Sequence, residues 1–328
     1  MKNLLNLIFP PRCAVCGEVL TLEEQKGVLC KKCGEELPYF SENICPHCGG
    51  ALHRAGGSLL CDGHTGRTHC YDIASAGYVN LLPPGKGGNA HTGDDAGMIA
   101  ARSAFLRGGY YDCISDAAAE IAYEALGATR NSICFCDAGS GEGYHTRRMA
   151  CRLSEVSGLP VIGCGIDASK KGAAAGAKGC RDLPESVQLS FAAGNIFSLP
   201  VADASLDVVF SLFAPIPAEE VSRTLREDGI LVVVAAGPRH LWELRCLLYD
   251  EPREGNAEAA TPEGFVLSHK QTVRKTVHIP DGAALQALFT MTPFYYRTPE
   301  SGRERLANTP FLDISVEADI YVFRKETV

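Results

Sequence analysis

Three glycines in a short turn could hold a nucleoside cofactor close to the main chain. Residues 137–143 read D-A-G-S-G-E-G and directly follow the apolar run I-C-F-C. Glycine lets the backbone approach a ligand without a Cβ in the way, and the helix expected after the turn offers free N–H groups. A second apolar stretch, residues 163–167, ends in the carboxylate of Asp167, where a ribose diol would need an acceptor. Together the two segments predict a cofactor site.

The spacing of these glycines favours S-adenosylmethionine over a dinucleotide. The turn reads G-x-G-x-G, whereas pyrophosphate-binding dehydrogenases use G-x-G-x-x-G. The pattern therefore predicts an S-adenosylmethionine-dependent methyltransferase whose cofactor contacts include Asp137, Gly139 and Asp167. Asn195, in a polar turn after the third predicted strand, is a further candidate contact. The alternative is a Rossmann-like domain that binds nothing.

Cysteine pairs near the start of the chain have the spacing of zinc ligands. The chain has 15 cysteines, and two C-x-x-C pairs are formed by Cys13, Cys16, Cys30 and Cys33. A glycine follows each pair, where the backbone must turn toward a metal. Four thiolates in this arrangement match a tetrahedral zinc ribbon. A disulfide is the poorer interpretation for a chain expected to be cytoplasmic.

A second zinc knuckle is predicted after the first. Cys45 and Cys48 form another C-x-x-C pair, and Cys61 is the expected third ligand. The residues alone leave the fourth ligand open among three candidates, His64, His69 and Cys70. So short a segment cannot bury a sufficient core, and a bound metal would contribute folding free energy directly.

Apolar strands separated by helical stretches place the glycine turn in a sheet. Further strands are predicted within residues 191–200, 206–213 and 230–236. An amphipathic stretch at residues 218–226, followed by Asp228-Gly229, precedes the last of them. Near-continuous apolar runs are typical of buried parallel strands. The predicted fold class is α/β: a Rossmann-like class I methyltransferase domain with an N-terminal zinc-ribbon and knuckle module.

Composition and charge narrow the classes of partner. The chain has 328 residues, with 46% hydrophobic and 21% charged residues and a formal net charge of −8. A chain with a negative net charge binds nucleic acid poorly without specific contacts, so no DNA partner is expected. A local basic patch could still recognise one folded RNA. Since the sequence has no apolar run long enough to span a bilayer, no membrane partner is expected and a cytoplasmic location is predicted.

The part of the chain from Cys45 to Val328 carries several specific motifs in a fixed order. After the knuckle come G-Y-V-N-L-L at residues 77–82, G-D at 93–94, A-R-x-x-F-L at 101–106 and D-A-G-S-G-E-G-Y at 137–144. F-A-P at 213–215, G-P-R-H-L at 237–241 and M-T-P-F at 291–294 follow. In these motifs the chain resembles the large-subunit ribosomal RNA (guanine-N1)-methyltransferases, the RlmA family.

That resemblance implies a reaction, a cofactor and a set of contacts. Family members use S-adenosylmethionine to methylate N1 of one guanine in a hairpin of 23S ribosomal RNA, and they carry an N-terminal zinc. The implied cofactor contacts are Tyr111, Gly141, Glu142 and His240, with Asp167 at the ribose. The resemblance also selects His69 as the zinc histidine, with a four-residue insertion looped out after Cys61, and it suggests a homodimer.

The first forty residues resemble a different protein. The string L-I-F-P-P-R-C-A-V-C-G with a later L-C-K-K-C is similar to the zinc ribbon that begins ComF-type phosphoribosyltransferases. This ribbon is interpreted as an added module that contacts RNA or a partner, with a purely structural extension as the alternative. The predicted organisation is a ribbon at 1–40, a zinc knuckle for RNA recognition at 41–82 and a methyltransferase domain at 83–328, with one or two zinc ions.

The expected chemistry requires a group that deals with the proton on guanine N1. This proton must leave while the base lies in line with the sulfonium methyl. Asp94, before a predicted helix that contains Arg102, is the candidate catalytic residue that accepts the proton or orients the base. Its alternative role is to cap that helix.

Two other functions fit part of the pattern. A methyltransferase acting on a small molecule or a protein is compatible with the cofactor domain alone, but the zinc module and G-Y-V-N-L-L argue against it. A non-catalytic zinc-ribbon RNA binder is the other alternative, and the intact glycine turn and Asp167 argue against that.

Overall fold

A computed structural model describes residues 45, 48, 50–63, 66, 68–82, 96–127, 130–255 and 259–326. The predicted first zinc ribbon, with Cys13, Cys16, Cys30 and Cys33, lies outside these residues. Asp94 and His64 lie outside them as well. The roles given to these six residues stay predictions.

A small antiparallel sheet comes first among the described residues. It contains β1 (Leu52–Ala55), β2 (Ser58–Cys61) and β3 (Cys70–Asp72), in that order. A tight Gly-Gly turn joins β1 to β2, with Gly56 at a φ of 62°. The next strand, β4 (Val79–Asn80), leaves this sheet and joins a larger one.

Five parallel strands form the centre of the larger sheet. They are β5 (Ile133–Ala138), β6 (Val161–Asp167), β7 (Val187–Ala193), β8 (Leu206–Leu212) and β9 (Leu225–Ala236). Their residues are mostly apolar and buried, as expected for parallel strands with both faces covered. β5 pairs with β6 and β8, and the pairing continues from β6 to β7 and from β8 to β9. The predicted doubly wound sheet is confirmed.

Two long antiparallel strands complete one edge of this sheet, and the N-terminal module completes the other. β11 (Leu312–Lys325) pairs with β9, and β10 (Phe265–Ile279) pairs with β11, so the order is β10-β11-β9-β8-β5-β6-β7-β4. Chain order reverses between β5 and β8. In open α/β sheets ligands bind at such a point, in the crevice outside the carboxyl ends of the strands.

The N-terminal module is attached to the larger sheet by hydrogen bonds and by apolar packing. β4 runs parallel to β7 with Val79 opposite Ala192, and the N–H of Leu81 donates to the carbonyl of Ala193 at 2.8 Å. Leu52 and Tyr71 are buried in the same apolar cluster as Ile166 of β6. The small sheet is therefore packed against the face of the large one.

Helices cover the large sheet and bury its apolar faces. They are α1 (Ala96–Leu106), α2 (Asp112–Leu126), α3 (Tyr144–Ser157), α4 (Lys170–Lys178), α5 (Ala218–Thr224), α6 (Trp242–Leu248), α7 (Gly282–Thr290), α8 (Phe294–Arg297) and α9 (Glu300–Ala307), with a 3-10 turn at Gly179–Asp182. Among the described residues, two side chains cap helices: Ser169 accepts from the N–H of Gly172 and Asp281 from that of Ala284. Among the described helices, none is long and apolar enough to cross a membrane.

The fifth parallel strand starts earlier than its apolar run predicts. The helix ends at Thr224, and β9 begins at Leu225 and continues through Asp228-Gly229. Leu225 is fully buried opposite Leu206, and this contact outweighs the polar character of the residues that follow. Asp207 of β8 is also fully buried, and it accepts hydrogen bonds from Arg226 at 2.5 Å and from the N–H of Cys134 at 2.7 Å.

Candidate active site and metal centre

Four side chains of the N-terminal module could hold a metal ion. One ligand atom from each of Cys45, Cys48, Cys61 and His69 lies within 4.8 Å of all the others. The sulfurs of Cys48 and Cys61 are 3.9 Å apart, and Nδ1 of His69 is 3.4 Å from the sulfur of Cys61. In a tetrahedral site with Zn–S of about 2.3 Å and Zn–N of about 2.0 Å, these separations are about 3.8 and 3.5 Å. The donor set and its spacing therefore fit zinc.

Neighbouring groups support these ligands. The N–H of His69 donates to the sulfur of Cys61 at 2.8 Å, and the hydroxyl of Tyr71 lies 2.9 Å from the sulfur of Cys45. Burial raises the pKa of Tyr71, so its hydroxyl keeps its proton and can donate to a thiolate. Cys70 is exposed and stands outside the cluster, because successive side chains of a strand point to opposite faces.

The glycine turn after β5 needs glycine for both backbone and space. Gly139 has a φ of 91°, and a Cβ there would lie 2.6 Å from the Cβ of Ala214. Gly143 has a φ of 74°, and a Cβ there would lie 2.5 Å from the ring of Phe191. Side chains at these two positions would clash with their neighbours and would also be strained by the positive φ.

Asp167, the last residue of β6, connects this turn to the next helix. Its Oδ2 accepts from the N–H of Gly141 at 2.9 Å, and its Oδ1 accepts from the N–H of Ser169 at 2.7 Å. Each carboxylate oxygen has more than one lone pair, so both can also accept from the hydroxyls of a ribose. The position and the remaining acceptor capacity fit the predicted ribose contact.

Two buried polar atoms in this region have no partner within the described part of the chain. They are Oδ1 of Asp137 and Oγ of Ser140. The other oxygen of Asp137 accepts from the hydroxyl of Thr146 at 2.5 Å. Unpaired buried polar groups are costly, and a ligand that supplies hydrogen bonds removes that cost. The α-ammonium of S-adenosylmethionine is such a donor, so these residues fit the cofactor.

Burial also raises the pKa of Asp137, to about 7, and the nearby carboxylates of Asp167 and Glu142 add to the rise. An ionised Asp137 attracts the cofactor ammonium, whereas a protonated one must first release its proton. Affinity for S-adenosylmethionine should therefore increase as the pH rises through 7.

Asp137→Asn tests this pH dependence directly. Between about pH 6 and pH 8 the wild-type dissociation constant should tighten roughly tenfold more than that of the variant, since only the wild type has the titrating carboxyl. Calorimetry at a series of pH values measures both. The ligand's own amino group titrates equally in both proteins and cancels in the comparison. Parallel pH profiles would contradict this role of Asp137.

Tyr111 and His240 form a hydrogen-bonded chain that ends on the backbone of β11. Nε2 of His240 lies 2.9 Å from the hydroxyl of Tyr111, and Nδ1 accepts from the N–H of Glu317 at 3.2 Å. Because Nδ1 accepts, the proton of the neutral ring is on Nε2, which donates to the Tyr111 oxygen. Burial lowers the pKa of His240 to about 4, which keeps the ring neutral. Because the Tyr111 oxygen accepts in this bond, its own O–H can donate to another acceptor.

Four rings from separate elements form a closed circuit near this chain. Tyr111 lies 6.5 Å from His145, which lies 6.3 Å from Phe213, between ring centroids. Phe213 lies 6.1 Å from His240, and His240 lies 5.5 Å from Tyr111. We call these residues the four-ring cluster. Burial and the charge of Arg102 lower the pKa of His145 to about 4, so both imidazoles are uncharged.

Phe213 holds an unusual backbone conformation in this cluster. It directly follows β8 with a φ of 53°, and its side chain is 45% exposed. A bulky residue in the left-handed region is strained, and such strain is concentrated at functional sites. His145 and Phe213 carry no spacing signal in the sequence; the only hint is that Phe213 opens the F-A-P motif.

The other predicted cofactor contacts lie around the same crevice. Asn195 is exposed just beyond the end of β7, where its Oδ1 accepts from the N–H of Phe197 at 3.0 Å. Glu142 is 5% exposed, and its Oε2 lies 4.0 Å from a guanidinium nitrogen of Arg102. The structure thus brings the predicted cofactor residues to one end of the sheet.

The matching family models cover both parts of the chain. Residues 4–73 match a model described as a double zinc ribbon domain, a span that contains all eight predicted zinc ligands. Residues 136–233 match a model described as a methyltransferase domain. The fold and the site together define a class I S-adenosylmethionine-dependent methyltransferase with an N-terminal zinc ribbon.

Relatives narrow this class to one family. A Bacillus subtilis (strain 168) protein, provisionally named 23S rRNA (guanine-N(1)-)-methyltransferase YxjB, is 33% identical over 87% of this chain and 98% of its own length. The 23S rRNA (guanine(748)-N(1))-methyltransferase of Streptomyces fradiae is 30% identical over 81% of this chain and 90% of its own. The chain belongs to the 23S rRNA (guanine-N1)-methyltransferase family.

Proposed function

We propose that this protein transfers a methyl group from S-adenosylmethionine to N1 of a guanine in a hairpin of 23S ribosomal RNA. The proposal rests mainly on family membership, because the chain is similar to the Bacillus subtilis relative over 98% of that protein's length. The glycine turn, Asp137 and Asp167 support it as a cofactor site. Cytoplasmic location and a homodimer are parts of the same proposal.

The four-ring cluster suits the positive charge of the cofactor. When bound, S-adenosylmethionine supplies a sulfonium-activated methyl group as the electrophile. The face of Tyr111 attracts a cation. The neutral imidazoles of His145 and His240 add no positive charge that would repel it.

Phe213 is positioned to hold the target base. Its exposed ring stands at the carboxyl end of β8, beside the strand-order reversal where ligands bind. A guanine taken out of the RNA stack could lie against this ring. Stacking would fix the plane of the base so that N1 faces the methyl donor. Asp94 stays our prediction for the group that takes the N1 proton.

Replacing Phe213 by alanine tests the stacking role. We expect kcat/KM for the RNA to fall by about 10- to 100-fold, because stacking a base on an aromatic ring contributes about 1–3 kcal/mol. Affinity for S-adenosylmethionine should change little, and Phe213→Tyr should restore most of the activity. Phe311→Ala, which removes an exposed ring beside His278 just before β11, is the control. Equal effects of the two alanine variants would contradict the proposal.

The function itself is tested by mapping methylated nucleotides. Mass spectrometry of 23S ribosomal RNA from cells with and without the protein should show one 1-methylguanosine that depends on it. The purified protein should add the same methyl group to an unmodified RNA fragment. If the RNA is unchanged while the protein binds S-adenosylmethionine, the substrate belongs to another class.

A further inference from the structure

A cavity of about 610 Å³ opens beside the glycine turn, on its helical side. It lies between α1, α3 and α4, and its lining includes Glu142 of the glycine turn and Tyr144, the first residue of α3. The small side chains of Ala174 and Ala175 also line it. Neither Asp137 nor Asp167 lines it, so it is a neighbour of the predicted cofactor site.

Four cationic side chains line this cavity, and we call them the cationic cavity residues: Arg107, Arg147, Lys171 and Lys178. Within the described part of the chain, none of them forms an ion pair. Arg147 instead donates to two carbonyls, those of Glu142 at 3.1 Å and Gly176 at 3.4 Å. Among the described residues, Glu142 is the one acidic residue that lines the cavity, and its Oε2 lies 4.0 Å from a guanidinium nitrogen of Arg102. The cavity is therefore strongly positive.

The cationic cavity residues repel one another when the cavity holds no anion. Burial lowers the pKa of Arg147; the nearby Cys180 and Glu142 offset part of this shift, and the charge of Arg107 adds to it. The chain as a whole has a net charge of −8, so the cavity is a local exception. Unneutralised cations around a cavity raise the local concentration of anions. An anionic ligand would remove the repulsion among them.

The cofactor is the wrong ligand for this cavity. S-adenosylmethionine carries a sulfonium and an ammonium against one carboxylate, and it has no phosphate. Four cations would repel it. Lys171 and Lys178 are seven residues apart on α4, which places them two helical turns apart, at about 10.5 Å along the axis. The cations therefore line a track, which suits a chain of phosphates better than a single anion.

We propose that the cavity between α1, α3 and α4 binds backbone phosphates of the RNA substrate next to the nucleotide that is methylated. This inference rests on the proposed function. The contact positions the RNA without reading its sequence, since phosphates carry none. Its place beside the glycine turn holds the target nucleotide within reach of the methyl donor.

The test compares two double variants of equal composition. Arg107→Gln with Lys178→Gln removes two cations from the cavity. Arg253→Gln with Lys275→Gln removes two exposed cations elsewhere. Binding to a 23S hairpin fragment and to polyuridylate is measured over a range of salt concentrations. The cavity variant should lose about 1–2 units of the slope of log K against log salt, and about tenfold in affinity at low salt, for both RNAs.

Controls distinguish misfolding of a variant, and absence of the proposed methylation, from absence of the phosphate site. Affinity for S-adenosylmethionine should match the wild type in both variants, and Arg107→Lys with Lys178→Arg should restore the salt slope. Polyglutamate, an acidic peptide, is titrated beside the two RNAs. Equal salt slopes for the wild type and the cavity variant would overturn the proposal. So would a cavity variant that loses polyglutamate binding while its RNA binding stays intact. If the slope falls but no guanine is methylated by the wild type, the phosphate site stands and the proposed methylation fails.

Discussion

Asp167→Ala is expected to weaken binding of S-adenosylmethionine by about 100-fold or more. A hydrogen bond to a charged group contributes about 1.5–3 kcal/mol, and two ribose hydroxyls would lose theirs at once. The change also removes the acceptor of the Gly141 N–H, so the glycine turn loses a support. Isothermal titration calorimetry with the purified protein measures the effect.

The matched control for this change is Asp182→Ala. Asp182 is an exposed carboxylate in the 3-10 turn after α4, and it makes no ion pair with any described residue. Its removal should leave cofactor binding unchanged. A dissociation constant for Asp167→Ala within about threefold of the control would exclude the ribose contact. Thermal unfolding of both variants shows whether either has lost the fold.

His69→Ala is expected to remove one zinc ion per chain and to unfold the small sheet. Structural zinc contributes about 10–16 kcal/mol to the folding of such modules, far more than three short strands can supply. Zinc released by the denatured protein, counted with a colorimetric chelator, gives the stoichiometry. Hydrogen exchange should become fast in β1, β2 and β3. Affinity for the RNA should fall with it.

Cys70→Ala provides the control for the zinc prediction. Cys70 is the direct neighbour of His69 and was an alternative ligand on spacing alone, but it is exposed and outside the cluster. Zinc content and exchange rates should be those of the wild type. Loss of zinc from Cys70→Ala, with zinc retained by His69→Ala, would reverse the assignment.

The elements that position the cofactor could be predicted from local sequence. Apolar runs that end in Asp137 and Asp167 mark the end of β5 to within one residue and the end of β6. A near-continuous apolar run is the sequence pattern of a buried parallel strand. The choice of His69 came from the resemblance, because a loop between Cys61 and the histidine hides the usual spacing. The structure brings His69 to the cluster through the pairing of β2 with β3.

The four-ring cluster and the cationic cavity could not be predicted in this way. Each ring of the cluster comes from a different part of the chain, and only the order of strands in the sheet brings them together. The left-handed backbone of Phe213 has no sequence signal, since aromatic residues rarely adopt it. The cations of the cavity come from α3, from α4 and from the residue that follows α1, and within each segment alone they look like ordinary surface residues.

The start of β9 is an element boundary that local sequence does not predict. Polar residues between Leu225 and Ile230 suggest a loop, yet the backbone there continues as a strand. Two contacts hold this segment against β8: Leu225 is buried against Leu206, and Arg226 forms an ion pair with the buried Asp207. Tertiary contacts of this kind override local propensity.

The pairing of β4 with β7 also sets an order of events during synthesis. Val79 leaves the ribosome long before its partner Ala192 does. The zinc module can therefore fold around its metal early, but it can dock only after most of the central strands exist. Until then, the edge of the nascent sheet at β7 stays open to other strands. A cell short of zinc should consequently accumulate this protein as aggregates made during translation, rather than as a soluble apoenzyme.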